Sequence, residues 1–272
     1  MATLTPMQRH QLRTQAAAGE QAATLDGNQR ALRWLHTQRG LLAALQSRQA
    51  REAHKAKVLP EIEPYLQAAI AADSGTTDPV LQYATVWAMD AGAWPLAINL
   101  TAYAMRHGLA MPDEFKRSAP TLLCDLLADA ILTGQPTQGD GPALMQQALT
   151  LTAEADMPDQ TRAKSHKAIA YGLAGKTTLA GQAGSWAGLA PNVLDMALDH
   201  LQRAEQLDPK TGVKKDIAAV QKLLQKAEQP DTTTAEADAK TPGRVPGAGG
   251  AKTTKPEAKK AAPRKTTAKK TT

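Results

Sequence analysis

Apolar residues recur along most of this chain at the three- and four-residue spacing of an amphipathic helix. The stretches VLQYATVWAMDAG and WPLAINLTAYAMRHG are clear examples, and each of them ends in a glycine. Asp78 and Pro79 supply an N-cap and a first-turn proline for the first of these helices. Because no apolar–polar alternation of strand length occurs, the pattern predicts an all-α fold.

Pairs of these short helices, each pair joined by a tight turn, predict helical hairpins. A second pair follows from ALDHLQRAEQLDP (197–209) and GVKKDIAAVQKLLQKAE. The spacing A-x3-L-x2-A-x2-L-D-P resembles tetratricopeptide units, although two imperfect copies fall short of the three or so that a solenoid usually needs. Three further amphipathic stretches lie between the pairs: APTLLCDLLADAIL, PALMQQALTLTAEA and MPDQTRAKSHKAIAYGL.

The N-terminal pattern predicts one long helix over residues 28–58, with only Gly40 inside it and Pro60 and Pro64 marking its exit. The apolar stripe on this helix is narrow, which favours contact with another helix rather than with a broad core. That partner is either a second copy of the chain or the next helices of the same chain, and the pattern leaves both open. The stripe consists of Leu32, Leu35, Leu42 and Leu45.

Composition changes abruptly after residue 228. Residues 229–272 are rich in Pro, Gly, Thr and Lys and contain no aromatic residue, Leu or Ile. Such a segment cannot bury enough apolar area to offset chain entropy, so we expect a disordered basic tail. The chain then divides into a basic helical region at 1–57, a helical-hairpin body at 58–228 and this tail.

The net charge of +6 conceals a strong division along the chain. Residues 1–57 carry a net +6, residues 58–243 a net −8 and residues 244–272 a net +8. An acidic body between two basic ends indicates contact with a polyanion at the ends.

The composition also excludes several classes of protein. One cysteine, Cys124, permits neither an intrachain disulfide nor a paired-cysteine zinc site, and its apolar surroundings predict a buried thiol. The scattered histidines show no helical pairing that would suggest zinc. No apolar run is long enough to span a bilayer and no signal peptide begins the chain, so we expect a soluble intracellular protein.

One stretch, AIAYGLAGKTTLAG (169–182), comes close to a phosphate-binding loop. Gly175, Lys176 and Thr177 fit the second half of G-x-x-x-x-G-K-[ST], but Ala170 stands where the first glycine is required. Such a loop follows a buried strand, whereas the residues before this one predict a helix. We therefore expect no nucleotide-binding site and no ATPase activity, with Lys176 a simple loop cation.

Metal-dependent cleavage of DNA needs carboxylates that hold a divalent ion against the scissile phosphate. Asp125 and Asp129 lie four residues apart and share one helix face, so they are weak candidates for catalysis. No nuclease or metal-ligand signature accompanies them, and the metal ligands stay unknown. The sequence predicts no cofactor for this chain, except Mg²⁺ if it cleaves DNA.

Basic residues at both ends of the chain are the candidates for contact with DNA. Arginines on N-terminal helices are suited to enter a groove, whereas paired lysines in an extended tail neutralise phosphates without reading sequence. The candidates are Arg9, Arg13, Arg30, Arg33, Arg39, Lys55 and Lys57 in the N-terminal region, and Lys259, Lys260, Arg264, Lys265, Lys269 and Lys270 in the tail.

Several blocks resemble the small terminase (endonuclease) subunit of peduovirus-type temperate tailed phages. They are DAGAWPLAINLTAYAMRHGLAMPDEFKRSAPTLL (90–123), LTLTAEADMPDQTRAKSHK (149–167) and HLQRAEQLDPKTGVKKDIAAVQKLL (200–224). The resemblance covers most of residues 1–228. The chain departs from the family pattern at about 174–196, which is similar to an insertion between two helices.

The resemblance implies a role in DNA packaging. A subunit of this family binds the cohesive-end site of concatemeric phage DNA, supports its cleavage and hands it to the large ATPase subunit. It implies double-stranded DNA, the large subunit and further copies of the chain as partners, in the host cytoplasm. The alternative is a helical-repeat adaptor or scaffold that binds protein partners and cleaves nothing.

Overall fold

A computed structural model of the chain describes residues 6–137, 139–179 and 184–228. Within these ranges all regular elements are helices, which confirms the predicted all-α class. The helices are α1 Pro6–Ala44, α2 Arg48–Ala72, α3 Pro79–Asp90, α4 Trp94–Arg106, α5 Ala119–Leu132, α6 Gly141–Leu151, α7 Asp159–Leu173, α8 Pro191–Leu207 and α9 Lys214–Glu228.

Local signals set the ends of α3 and α4 as the sequence predicts. The Asp78 carboxylate accepts the Val80 N–H at 2.8 Å, and Pro79 begins α3. Gly92 (φ +70°) and Gly108 (φ +61°) follow the two helices in the left-handed region that favours glycine. The predicted cap and both predicted glycine stops are confirmed.

The single helix predicted over residues 28–58 is wrong. The chain leaves helical geometry after Ala44, and α2 begins at Arg48. Ser47 is extended, and its hydroxyl accepts the Ala50 N–H at 3.3 Å, so this serine caps a new helix. The long N-terminal helix is nevertheless present as α1, with 39 residues.

Pro60 and Pro64 lie inside α2 and do not end it. An interior proline removes one hydrogen bond and crowds the preceding turn, at a cost of about 3 kcal/mol or more. The two prolines together cost about 6 kcal/mol or more, and burial of four apolar side chains, at about 1.5–3 kcal/mol each, offsets that cost. The buried residues of α2 are Val58, Leu59, Ile62 and Leu66.

Each helix packs against the next one along the chain, and α7 additionally contacts α5. Consecutive packed helices confirm the predicted hairpins, while the tetratricopeptide-like character of those hairpins stays a prediction. Cys124 is fully buried as expected, with its sulfur 3.5 Å from the Thr152 hydroxyl. The most deeply buried large side chains include Leu66, Leu100, Leu123, Leu127, Met145 and Leu201.

Candidate nucleic-acid interface

Helix α1 packs on the body only through its C-terminal half, as far as its side chains are described. Its buried residues have the 4-3-4 spacing of one helix face. Leu35 is 2% exposed and belongs to the core of its own chain, whereas Leu32 is 36% exposed. The predicted stripe is therefore used largely within one chain. The buried residues are Ala31, Leu35, Gln38 and Leu42.

Polar and aromatic contacts fix this half of α1 to α2 and α3. The Trp34 indole N–H donates to Glu61 Oε2 at 3.1 Å, and the ring lies 5.8 Å from the Trp87 ring. Gln38 Oε1 lies 2.8 Å from His54 Nε2. Trp34 is thus a packing residue, although arginines surround it in the sequence.

The N-terminal part of α1 continues as helix to Pro6, about 25 residues before the first buried turn and so about 37 Å long. The side chains of Arg13, Arg30 and Arg33 are exposed on it. Arg33 also donates to Gln29 Oε1 within the helix at 3.4 Å. A helix of this length that carries exposed arginines has the dimensions to lie in a DNA groove.

Two of the predicted DNA contacts are instead engaged with the body. The Arg39 guanidinium lies 4.3 Å from the centre of the Tyr83 ring and 3.6 Å from Glu114 Oε2. The Lys55 ammonium lies 2.5 Å from Asp90 Oδ2, and its side chain is only 14% exposed. Lys55 is thereby paired in a half-buried contact, whereas Arg39 keeps an exposed side chain beside its two partners.

The remaining basic candidates fall into two groups. Lys57 is exposed on α2. The Arg9 side chain lies outside the described residues. So do the tail cations Lys259, Lys260, Arg264, Lys265, Lys269 and Lys270.

The two candidate catalytic carboxylates share one lysine. Lys164 Nζ lies 2.7 Å from Asp125 Oδ1 and 2.7 Å from Asp129 Oδ2. Arg117 also donates to Asp125, whose side chain is 18% exposed. An α7 ammonium thus occupies the space between two α5 carboxylates and ties the helices together.

This arrangement does not fit a magnesium ion. Mg²⁺ requires oxygen ligands in near-octahedral geometry, and a lysine ammonium here holds the position between the carboxylates. Within the described ranges, no cluster of three or more His, Cys, Asp or Glu side chains could hold a metal. We derive no catalytic step through a metal from Asp125 and Asp129.

The glycine–lysine–threonine segment after α7 has a definite structural role. Lys176 Nζ lies 2.5 Å from Asp216 Oδ1, and the Trp186 indole and Tyr171 hydroxyl donate to the same carboxylate at 2.8 and 2.9 Å. Burial alone would raise the pKa of Asp216, but these three donors lower it below its ordinary value. The description of Lys176 as a simple loop cation is wrong, because it anchors the 174–190 connection to α9.

Sequence reasoning missed that α7 connects most of the body. Arg162, on α7, donates through its guanidinium to three carbonyl oxygens beyond the end of α6, at 2.7–3.0 Å. These belong to Thr152, Ala153 and Ala155. Lys167 donates to the Thr211 carbonyl at 2.8 Å. The unusual charge density of TRAKSHK was the available signal, and these contacts explain it.

A histidine pair joins α7 to α8. His166 Nδ1 and His200 Nδ1 lie 2.8 Å apart, although the residues are far apart in sequence. Burial, followed by the charges of His200, Arg203 and Arg162, lowers the pKa of His166 to about 4. Burial also lowers the pKa of His200. The pair is therefore two neutral rings sharing one hydrogen bond.

The fold and charge arrangement define a class: an all-helical protein with a basic N-terminal helix on an acidic body. A sequence model of the phage small terminase subunit family matches residues 32–160. The "Terminase, endonuclease subunit" of Escherichia phage P2 is 31% identical over 237 residues, covering 85% of this chain and 90% of that protein. No solved structure matches the chain.

The chain belongs to the phage small terminase subunit family, and the resemblance noted in its sequence blocks is confirmed. It is a terminase small subunit of the DNA-packaging system of a phage. None of its described helices is long and apolar enough to cross a membrane.

Proposed function

We propose that this small terminase subunit recognises the cohesive-end site of concatemeric phage DNA, supports its cleavage and hands it to the large ATPase subunit. The subunit acts in the cytoplasm of the infected cell, where packaging takes place. Recognition resides in α1, and the basic tail adds phosphate contacts that do not depend on sequence.

The observation that carries this proposal is the exposed basic part of α1. Arg13, Arg30 and Arg33 lie on a helix whose packed half is fixed to an acidic body. The negative body repels the DNA backbone, so it favours approach at the basic helix. Arg39 and Lys55 support the structure of this region, since both bind groups of the body.

Assembly into a homo-oligomer and docking on the large subunit complete the proposal. Several copies would present several basic helices, so that weak contacts add up along one DNA duplex. In this proposal ATP hydrolysis belongs to the large subunit, and the phosphate-loop-like lysine of this chain binds Asp216 instead.

The test compares a cohesive-end duplex with a shuffled duplex of equal length. Arg13→Gln/Arg33→Gln should weaken binding to the cohesive-end duplex by about tenfold or more. The control, Lys116→Gln/Lys210→Gln, removes the same charge from exposed positions of the body. Equal weakening by both variants would exclude α1 as the recognition element.

Cleavage by this subunit itself is the second candidate, and the name of the phage P2 relative favours it. A nicking assay with Mg²⁺ on cohesive-end DNA separates the two, using the subunit with and without the large subunit. Cutting by this subunit alone supports a nuclease in this chain, and loss of cutting in a folded Asp125→Ala/Asp129→Ala variant would assign it. A protein that binds no DNA at any salt concentration would instead be a helical adaptor or scaffold.

A further inference from the structure

A groove lies between the 174–190 connection and the outer face of α9. It has a volume of about 640 Å³ and an apolar floor of Trp186, Ala219 and Leu223. Lys222 and Lys226 stand at its rim, and both are exposed. In the part of the chain that the structure describes, no carboxylate lies within ion-pair distance of either lysine. We call these five residues the lysine groove.

The shape of the lysine groove is set by the Asp216 contacts. Trp186 is buried, its indole N–H donates to Asp216, and its ring packs edge-on against Tyr171 at 6.1 Å. The floor is therefore held in place before any partner arrives, which lowers the entropy cost of binding.

A second exposed surface lies on α8. Met196 is 51% exposed, and few large apolar side chains in the described ranges are exposed to that extent. Asp195 and Asp199 are exposed beside it and lie one helical turn apart. Across the described residues, neither aspartate has a cation at ion-pair distance. We call these three residues the acidic knob.

The acidic knob and the lysine groove have the same spacing and opposite charge. Asp195, Met196 and Asp199 occupy positions i, i+1 and i+4, as Lys222, Leu223 and Lys226 do. Charged side chains four residues apart on a helix stand about 6 Å from each other, so two aspartates can face two lysines. Methionine is flexible and fills irregular apolar gaps, which suits Met196 to the groove floor.

We propose that copies of this chain associate head to tail, with the acidic knob of one copy seated in the lysine groove of the next. This rests on the homo-oligomer of the proposed function and assigns its interface. The two surfaces differ, so the contact is heterologous and builds a ring or an open chain rather than a closed dimer.

Other occupants fit the lysine groove less well. The basic segment 244–272 is repelled by Lys222 and Lys226 and carries no large apolar anchor. A nucleic acid would gain two phosphate contacts, but Trp186 is only 6% exposed, which is too little for a base to stack on its ring, whereas a methionine can also pack on Ala219 and Leu223.

Charge reversal tests the contact in the full-length protein. Asp195→Lys/Asp199→Lys and Lys222→Glu/Lys226→Glu should each shift the mass in solution towards the 28.8 kDa of one chain, with association at least tenfold weaker. The four-substitution chain, and an equimolar mixture of the two double variants, should recover the wild-type mass. Lys116→Glu/Lys210→Glu is the matched control and should leave the mass unchanged.

The interface is wrong if both double variants keep the wild-type mass. It is also wrong if neither the four-substitution chain nor the mixture recovers that mass. Either result would leave the homo-oligomer itself standing. A wild-type protein that stays at 28.8 kDa at all concentrations overturns the interface and the homo-oligomer together. Loss of DNA binding in Lys222→Glu/Lys226→Glu at unchanged mass would make the groove a DNA site and contradict the proposal.

Discussion

Lys164 shows how one side chain changes the meaning of two others. In the sequence, Asp125 and Asp129 are two carboxylates four positions apart, which is the minimal pattern for a metal site on a helix. In the structure the Lys164 ammonium lies 2.7 Å from an oxygen of each. The partner comes from another helix 35 or more residues away, so no local pattern could have revealed it.

Replacing this lysine should destabilise the protein. Lys164→Met removes the cation that Asp125 and Asp129 share and leaves the half-buried Asp125 with Arg117 alone, so we expect the free energy of unfolding to fall by about 1–3 kcal/mol. Urea denaturation measures the change. Lys116→Met, at an exposed position, should stay within about 0.5 kcal/mol of wild type. Equal stability of both variants would show that the contacts of Lys164 with the two aspartates contribute little to the free energy of unfolding.

The contribution of these ion pairs to stability also decides how a nuclease assay is interpreted. Asp125→Ala/Asp129→Ala removes both acceptors of Lys164, and stability falls whether or not these residues cut DNA. Loss of cleavage therefore assigns catalysis only if the variant still unfolds cooperatively above the assay temperature.

The pair of His166 and His200 predicts a stability that depends on pH. The pKa of His166 is lowered from 6.5 to about 4 in the folded protein. Between those values the unfolded chain binds a proton that the folded chain does not. Stability is therefore fully present above about pH 6.5 and is lost as the pH falls towards 4.

Thermal unfolding at about pH 7.5 and about pH 5 tests this. We expect Tm to fall by about 2–6 °C in the wild type. The fall should be smaller in His166→Gln/His200→Gln, because the titrating rings are gone. Parallel pH dependence in the two proteins would contradict the assignment to this pair.

At the scale of the helix, local rules predicted some boundaries and missed others. Asp78-Pro79 and Gly92 act through their own backbone geometry, so the sequence alone located the ends of α3. The break at residues 45–47 combines a local effect, Ser47 capping α2, with a tertiary one, the packing of α2 against α3, and only the second lies beyond the reach of a local pattern. Pro60 and Pro64 were misinterpreted for the same reason, since burial of α2 outweighs the local preference.

The 174–190 connection is held to α9 largely by one carboxylate, and this gives an element-scale prediction. Asp216→Asn removes the charged acceptor of Lys176 and Trp186 while preserving side-chain shape. Local opening of the connection should become easier, and trypsin should cleave after Lys176 roughly tenfold faster.

Two controls distinguish local opening of the 174–190 connection from a general loss of stability. Cleavage after Lys210, in the exposed turn before α9, should be unchanged by Asp216→Asn. The exposed control Asp113→Asn should leave both rates alone. Faster cleavage at both sites in Asp216→Asn would instead indicate a general loss of stability.

For the whole molecule, the division of charge was visible in the sequence, but its placement was not. Net charge along the chain predicted a basic end and an acidic body, and α1 confirms the long helix that carries the N-terminal cations. Which cations face outward could not be predicted. Lys55 is half-buried against Asp90 and Arg39 contacts Glu114, whereas Arg13 and Arg33 are exposed on α1 and contact no group of the body that the structure describes, because only packing decides which cations meet the body.

The salt dependence of DNA binding tests whether α1 supplies phosphate contacts. The logarithm of the association constant falls with the logarithm of salt concentration, with a slope of about −0.9 for each phosphate contact. For the full-length protein on a cohesive-end duplex, Arg13→Gln/Arg33→Gln should reduce the steepness of that slope by about 2. Lys116→Gln/Lys210→Gln should leave the slope as it is in the wild type. An unchanged slope in the α1 variant, or the same reduction in the control, would show that α1 does not supply these phosphate contacts.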